Sequence, residues 1–111
     1  MKISVIITCY NFERYVGEAI ESVLAQRPGD YELELLVIDD ASTDASVAVI
    51  ERYPQARLLR SPQNQGVLLA TLQAMHAATG EVITFLDADD RWLPEKLRLV
   101  AKKFAADPAL T

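Results

Sequence analysis

The sequence predicts an α/β protein with an open parallel sheet of about four strands and helices on both faces. Two observations carry this. Four short runs rich in β-branched and apolar residues alternate with four stretches whose apolar residues recur at helical spacing. Such alternation builds parallel strand pairs through right-handed crossovers. In addition, the polar clusters TCYN, DDASTD and DADD all fall at the carboxyl ends of strand-like runs.

The elements follow in order. KISVIITC is a continuous β-branched run, as expected of a strand buried on both faces. Val16, Ala19, Ile20, Val23 and Leu24 then form one apolar helical stripe, which RPGD ends. LELLVI is the second strand, and residues from about 43 to 53 read as a helix closed before Pro54. ARLLR is a short third strand. Residues from about 65 to 79 read as a helix with Leu68, Leu72 and Met75 on one side, and Gly80 stands where a C-cap glycine belongs. EVITFL is the fourth strand. Pro94 suits the first turn of a last helix, whose stripe is Leu97, Val100, Ala101 and Phe104. Lys96, Arg98, Lys102 and Lys103 form its solvated side.

In sheets of this kind ligands bind beyond the carboxyl ends of the strands, where the strand order reverses. With the spatial order 3-2-1-4 the reversal falls between strands one and four. The three polar clusters then line one crevice.

The 111 residues make one domain or less, half of them hydrophobic, so a packed core is expected rather than disorder. A net charge of −5 argues against nucleic acid as a partner. Cys9 is the single cysteine, which excludes a disulfide framework and a cysteine zinc site, and makes a reducing compartment, the cytoplasm, the default. The N-terminus reads as a buried strand rather than a signal peptide. No apolar run approaches the about 20 residues of a membrane span.

The candidate chemistry lies in the three clusters. Asp87 and Asp89 are spaced i and i+2, so in extended backbone both point the same way and could share a hard cation, Mg²⁺ or Mn²⁺. The plainer alternative is a solvated acidic loop that caps the next helix, and that capping role suits Asp90. Asp39 and Asp40 end the second strand, where one of them could accept hydrogen bonds from a base N–H or a ribose hydroxyl. Ser42, Thr43 and Asp44 suit the turn into the following helix. Tyr10 could stack on a planar base or sit half-buried at the sheet rim. Cys9, between Thr8 and Tyr10, is expected to face away as an inert packed thiol. Asn64 and Gly66 precede the third helix, in a phosphate-binding turn or a plain loop. Walker-type and G-x-G-x-x-G fingerprints are absent. His76 has no partner at metal-ligand spacing, and Trp92 is expected to pack rather than to bind a sugar.

Taken together, SVIITCYN, YVGEAIESVLAQ, LLVIDDASTD, NQG, GEVITFLDADDRW and LPEKL stand in an order and spacing that resemble the family 2 glycosyltransferases, over nearly the whole chain. The resemblance implies the GT-A form of a Rossmann-like three-layer αβα fold, a nucleotide-diphosphate sugar donor, usually UDP-linked, and an inverting single displacement onto an acceptor hydroxyl. It implies base contacts from Thr8 and Tyr10, uracil or ribose binding by Asp40 with Asp39 in support, and Asp87 near the ribose and metal. Asp89 would be the direct ligand of Mn²⁺ or Mg²⁺. Two departures stand out. Thr71 and Leu72 follow Ala70 where the family often has Arg-Asn. Family members also continue well beyond this length. On this reading, residues 1–111 are the N-terminal, donor-binding part. The acceptor-binding half and its carboxylate base are missing, and Asp107 is a poor substitute. The fourth strand would then be an exposed edge, open to self-association.

Competing readings fit less well. A receiver domain wants its acidic pair after strand one and a phosphoacceptor Asp after strand three, which here ends in Arg60-Ser61. A phosphatase built on D-x-D would place that motif after the first strand. A non-catalytic nucleotide-binding module remains the alternative.

Overall fold

The computed structural model describes residues 1–106. The expectation on Asp107 lies outside them. The element order is β1 (Lys2–Cys9), α1 (Val16–Leu24), β2 (Glu32–Asp39), α2 (Ser46–Ile50), β3 (Ala56–Arg60), α3 (Val67–Ala77), β4 (Val82–Asp87) and α4 (Lys96–Ala106). All pairings are parallel and the sheet order is β3-β2-β1-β4. The expected architecture and strand order are both present. Among the described residues, no helix is long and apolar enough to cross a membrane.

Strand alternation divides the core in two. Ile3, Val5, Ile7 and Cys9 of β1 join Leu35 and Val37 of β2 against α1, α2 and α4. Ile6, Leu36 and Ile38 turn to the other face, against α3. The α1 stripe is buried at Val16, Ala19, Ile20 and Val23, and α4 buries Leu97 and Ala101. Burying the valine, isoleucine and leucine side chains among these stabilises by roughly 1.5–3 kcal/mol each.

Three helix expectations need correction. The second helix is one short segment, Ser46–Ile50, because Asp44 and Ser46 hold the residues before it in a side-chain-bonded turn. In α3, the side formed by Leu68, Leu72 and Met75 faces outward, and Leu68 is 70% exposed. The helix rests on the sheet through Ala70 and Ala74, whose small side chains permit a close approach. Gly80 is not a C-cap, since α3 ends at Ala77 with Ala78 already extended. It marks a near contact with β1: a Cβ there would lie 2.5 Å from Ser4 Oγ and 2.7 Å from Ser4 N.

The same place holds a polar latch at the amino-terminal end of the sheet. Ser4 Oγ donates to Glu34 Oε1 at 2.6 Å and accepts from Gly80 N at 2.8 Å. Thr79 N and Thr79 Oγ1 donate to the Glu34 carboxylate at 2.8 and 2.9 Å, and Lys2 Nζ lies 3.9 Å away. Burial pushes the Glu34 carboxyl up, but the bonds from Ser4 and Thr79 and the Lys2 charge outweigh it and lower the pKa. A carboxyl that binds its proton less readily when folded contributes stability above its unfolded pKa. That contribution is lost as pH falls through the folded value. Melting temperature followed from pH 6 down to pH 3 should therefore fall more steeply in the unmodified chain than in Glu34→Gln. Parallel curves would contradict the latch.

Candidate active site

The three polar clusters meet at the carboxyl end of the sheet, on the β1/β4 side where the strand order reverses. They enclose an open crevice of about 410 Å³ lined by Thr8, Tyr10, Asp40, Asn64, Gly66, Asp87 and Asp89, with Phe12, Val67 and Ala70 as apolar wall. Parallel register creates the convergence: Thr8 pairs with Asp87 across β1 and β4, and Cys9 with Asp39 across β1 and β2. Tyr10 is 43% exposed at the rim, so its ring is open to a planar ligand.

Of the predicted site residues, only Asp39 stands outside the lining. It is buried, and its carboxylate accepts from Ser42 N at 2.9 Å and Ser42 Oγ at 2.6 Å. A carboxyl committed to that turn supports the site from behind and does not face a ligand. Ala41, between Asp39-Asp40 and this turn, sits at φ 64, and Asn11 at φ 56. Asn11 closes the two loops on each other, its Oδ1 accepting from Thr43 N at 2.8 Å while its own N–H donates to Ser42 Oγ at 2.9 Å. Asp44 adds to the clasp by accepting from Glu13 N at 3.2 Å. Burial raises the Asp44 pKa, yet its bonds from Ser46 and Glu13 lower it overall.

Asp40 is 5% exposed, and both its oxygens are engaged. Oδ1 accepts from Gln65 N at 3.0 Å and Oδ2 from Gly66 N at 2.9 Å. Gly66 is the N-cap position of α3, has φ 90, and supplies no side-chain cap. Asp40 thus caps α3 from just past the end of β2. This role escapes a reading by spacing, since 25 residues separate Asp40 from Gln65. The one available signal is a helix that starts after Gly, with no capping side chain of its own.

Asp87, Asp89 and Asp90 each offer a carboxylate oxygen, and these oxygens all lie within 4.8 Å of one another. The backbone differs from the extended form expected: Asp90 N donates to Asp87 O at 2.9 Å, closing a turn. The turn, rather than strand alternation, gathers the three groups. Asp90 belongs to this cluster and does not cap α4, whose Leu97 N–H donates instead to Gln26 Oε1 at 2.8 Å. Hard oxygen donors at this spacing fit a divalent cation. Thr8 Oγ1 donates to Asp87 Oδ1 at 3.4 Å, at the margin of a hydrogen bond.

Cys9, expected to face away, also lines the crevice. Cys9 is packed, and burial raises its pKa to about 11, so it is held as a thiol. Trp92 packs against the larger core, its backbone N–H donates to Ser22 Oγ at 3.0 Å, and Lys96 lies over its ring. His76 sits in the last turn of α3.

An open parallel sheet in this order, with an acidic crevice at its switch point, is the GT-A architecture of nucleotide-sugar transferases. S. aureus TarS 1–349 superposes with a TM-score of 0.85 at 30% identity, over 96% of this chain and 33% of that one. A Pyrobaculum calidifontis mannosyltransferase, PcManGT, solved with GDP-Man and Mn²⁺, also gives 0.85 at 30% identity, over 93% of this chain and 32% of its own. TarS has also been solved with UDP-GlcNAc. The sequence profile of glycosyl transferase family 2 matches residues 4–111, and the chain belongs to that family. An uncharacterized glycosyltransferase of Nostoc sp., alr2836, is 47% identical over 108 residues, covering 94% of this chain and 33% of its own length. The chain thus spans about a third of the length of the relatives it matches.

Proposed function

We propose that this chain is the donor-binding part of an inverting glycosyltransferase that takes a nucleotide-diphosphate sugar, UDP-linked in the first instance, with Mn²⁺ or Mg²⁺. One observation carries the reading: Thr8, Tyr10, Asp40, Asn64, Gly66, Asp87 and Asp89, drawn from four separate segments, line a single crevice. The donors and the Mn²⁺ in the TarS and PcManGT structures support it. Tyr10 and Thr8 receive the base. Asp40 keeps lone pairs for a base N–H or ribose hydroxyl beside the two backbone bonds it already accepts. Asp89 would hold the cation directly, with Asp87 near the ribose and metal. When bound, the cation would offset the charge of the diphosphate leaving group. The clustered carboxylates repel one another without such a partner, which is why this chemistry suits the DADD turn.

Transfer further requires a general base within reach of the acceptor hydroxyl. We assign that base, and the acceptor site, to the part of such proteins beyond the third spanned here. Nucleotide binding without transfer is accordingly the second reading for this chain by itself. With a single thiol and nucleotide sugars as donors, the cytoplasm is the location we propose. Calorimetric titration with UDP and with GDP, each in Mn²⁺, Mg²⁺ and chelator, tests the donor reading. Metal-dependent heat with either nucleotide supports it, and its absence with both overturns it.

Self-association is a separate expectation. β4 lies at one edge of the sheet, and Phe85 on it is 49% exposed. A strand edge with free backbone groups and an apolar neighbour invites pairing with another copy. Light scattering should show a mass that rises with concentration. A constant monomer mass would show that the edge is protected.

A further inference from the structure

The β3–α3 loop forms one wall of the crevice, and Asp40 is not its only tether. Gln65 Nε2 donates to Gln73 Oε1 at 2.9 Å and to Ser61 Oγ at 2.8 Å. Ser61 Oγ in turn lies 3.5 Å from Gln73 Oε1, at the outer limit of a donated bond. Ser61 is buried, and its N–H donates to Asp39 O at 2.9 Å, fixing this triangle to the end of β2. Gln65 is therefore held at two points. Its N–H is bound by Asp40 and its side chain by Gln73 and Ser61. Gly66, next along, sits at φ 90, a conformation that glycine adopts without strain, so the position of the wall is set by these bonds to Gln65 and Gly66.

We propose that Gln73 is a positioning residue for the donor crevice, its Oε1 acting through Gln65 to hold the Asn64–Gly66 wall against Asp40. Gln73 does not line the crevice itself. It lies two turns into α3, close to the spacing that carries a side chain back over the helix start. The role is that of an acceptor, since both contacts to Gln73, the bond from Gln65 Nε2 and the longer one from Ser61 Oγ, end on Oε1. The inference rests on the donor reading, because the wall matters for function only if a donor occupies the crevice.

The acceptor role sets the test. Gln73→Ala removes the acceptor while improving helix propensity, so a merely structural position would be neutral or stabilised. Gln73→Glu keeps a carboxylate oxygen for Gln65 Nε2 and Ser61 Oγ. Amide exchange at Gln65 and Gly66, read by NMR at a temperature well below melting, reports the wall directly. Titration with UDP and GDP in Mn²⁺ reports its use. We expect Gln73→Ala to speed exchange at both amides and to weaken the nucleotide bound by the unmodified chain about threefold, and Gln73→Glu to restore both. Unchanged exchange in Gln73→Ala, or faster exchange with unchanged affinity, overturns the proposal. So does a loss of melting temperature shared equally by both variants. If the unmodified chain binds neither nucleotide, the donor reading falls and the positioning role falls with it. Binding that Gln73→Ala leaves intact overturns this proposal alone.

Discussion

Asp89→Ala is expected to abolish metal-dependent nucleotide binding while leaving the fold as stable as before, or more so. The two effects have one origin. Asp87, Asp89 and Asp90 bring three exposed oxygens within 4.8 Å. Like charges at that separation repel, and removing one relieves the repulsion. The same removal takes away the proposed direct ligand of the cation. Mn²⁺ should raise the melting temperature of the unmodified chain, because a ion that binds only the folded state stabilises it. It should leave that of Asp89→Ala unchanged. Heat from UDP or GDP in Mn²⁺ should disappear in the variant. Undiminished heat would remove Asp89 from the site and return the DADD turn to a solvated acidic loop.

Asp40→Asn is expected to move stability and affinity together. Its carboxylate accepts from Gln65 N and Gly66 N, and an amide can accept at only one oxygen. The second backbone N–H would then meet an NH₂ group and lose its partner in a part-buried place. Hydrogen bonds to charged groups contribute about 1.5–3 kcal/mol. A loss of about 2 kcal/mol corresponds to a melting temperature lower by roughly 8 °C in a domain of this size. The wall at Gly66 loosens at the same time, and the acceptor offered to a base or ribose weakens, so nucleotide affinity should fall by about tenfold or more. A lower melting temperature with unchanged affinity would reduce Asp40 to a helix cap. Unchanged stability would contradict the hydrogen bonds described here. Asp40 and Asp89 therefore separate cleanly: one supports the fold and the site, the other the site at the expense of the fold.

The contrast between these two residues shows what was legible in the chain. Both carboxylates could be picked out because each follows an apolar run that reads as a strand. Parallel topology then brings such strand ends together. The strand runs KISVIITC and ARLLR and the stripes of α1 and α4 follow from periodicity, which is local, whereas the order β3-β2-β1-β4 enters the sequence reading only as a condition for the crevice, which the sheet meets. The family resemblance of SVIITCYN, LLVIDDASTD and FLDADD is likewise carried by residue identity alone, and residues 4–111 match that family.

What each polar group touches was decided by tertiary structure. Asp39 and Asp40 are adjacent and chemically identical, yet Asp39 closes on Ser42 while Asp40 reaches across to α3. Asp39 is the last residue of β2 and Asp40 lies just past it, and the loops packed on either side of that point supply the different partners. Asp90 joins Asp87 and Asp89 through a turn, and Gln26 takes the capping role at α4 from 71 residues away. The outward side of α3 was equally open: its sequence carries an alanine side and a leucine side, and the close approach to Ile6, Leu36 and Ile38 selects the smaller one. Periodicity records that a helix has two sides. Only the space left by the packed sheet determines which of them is buried.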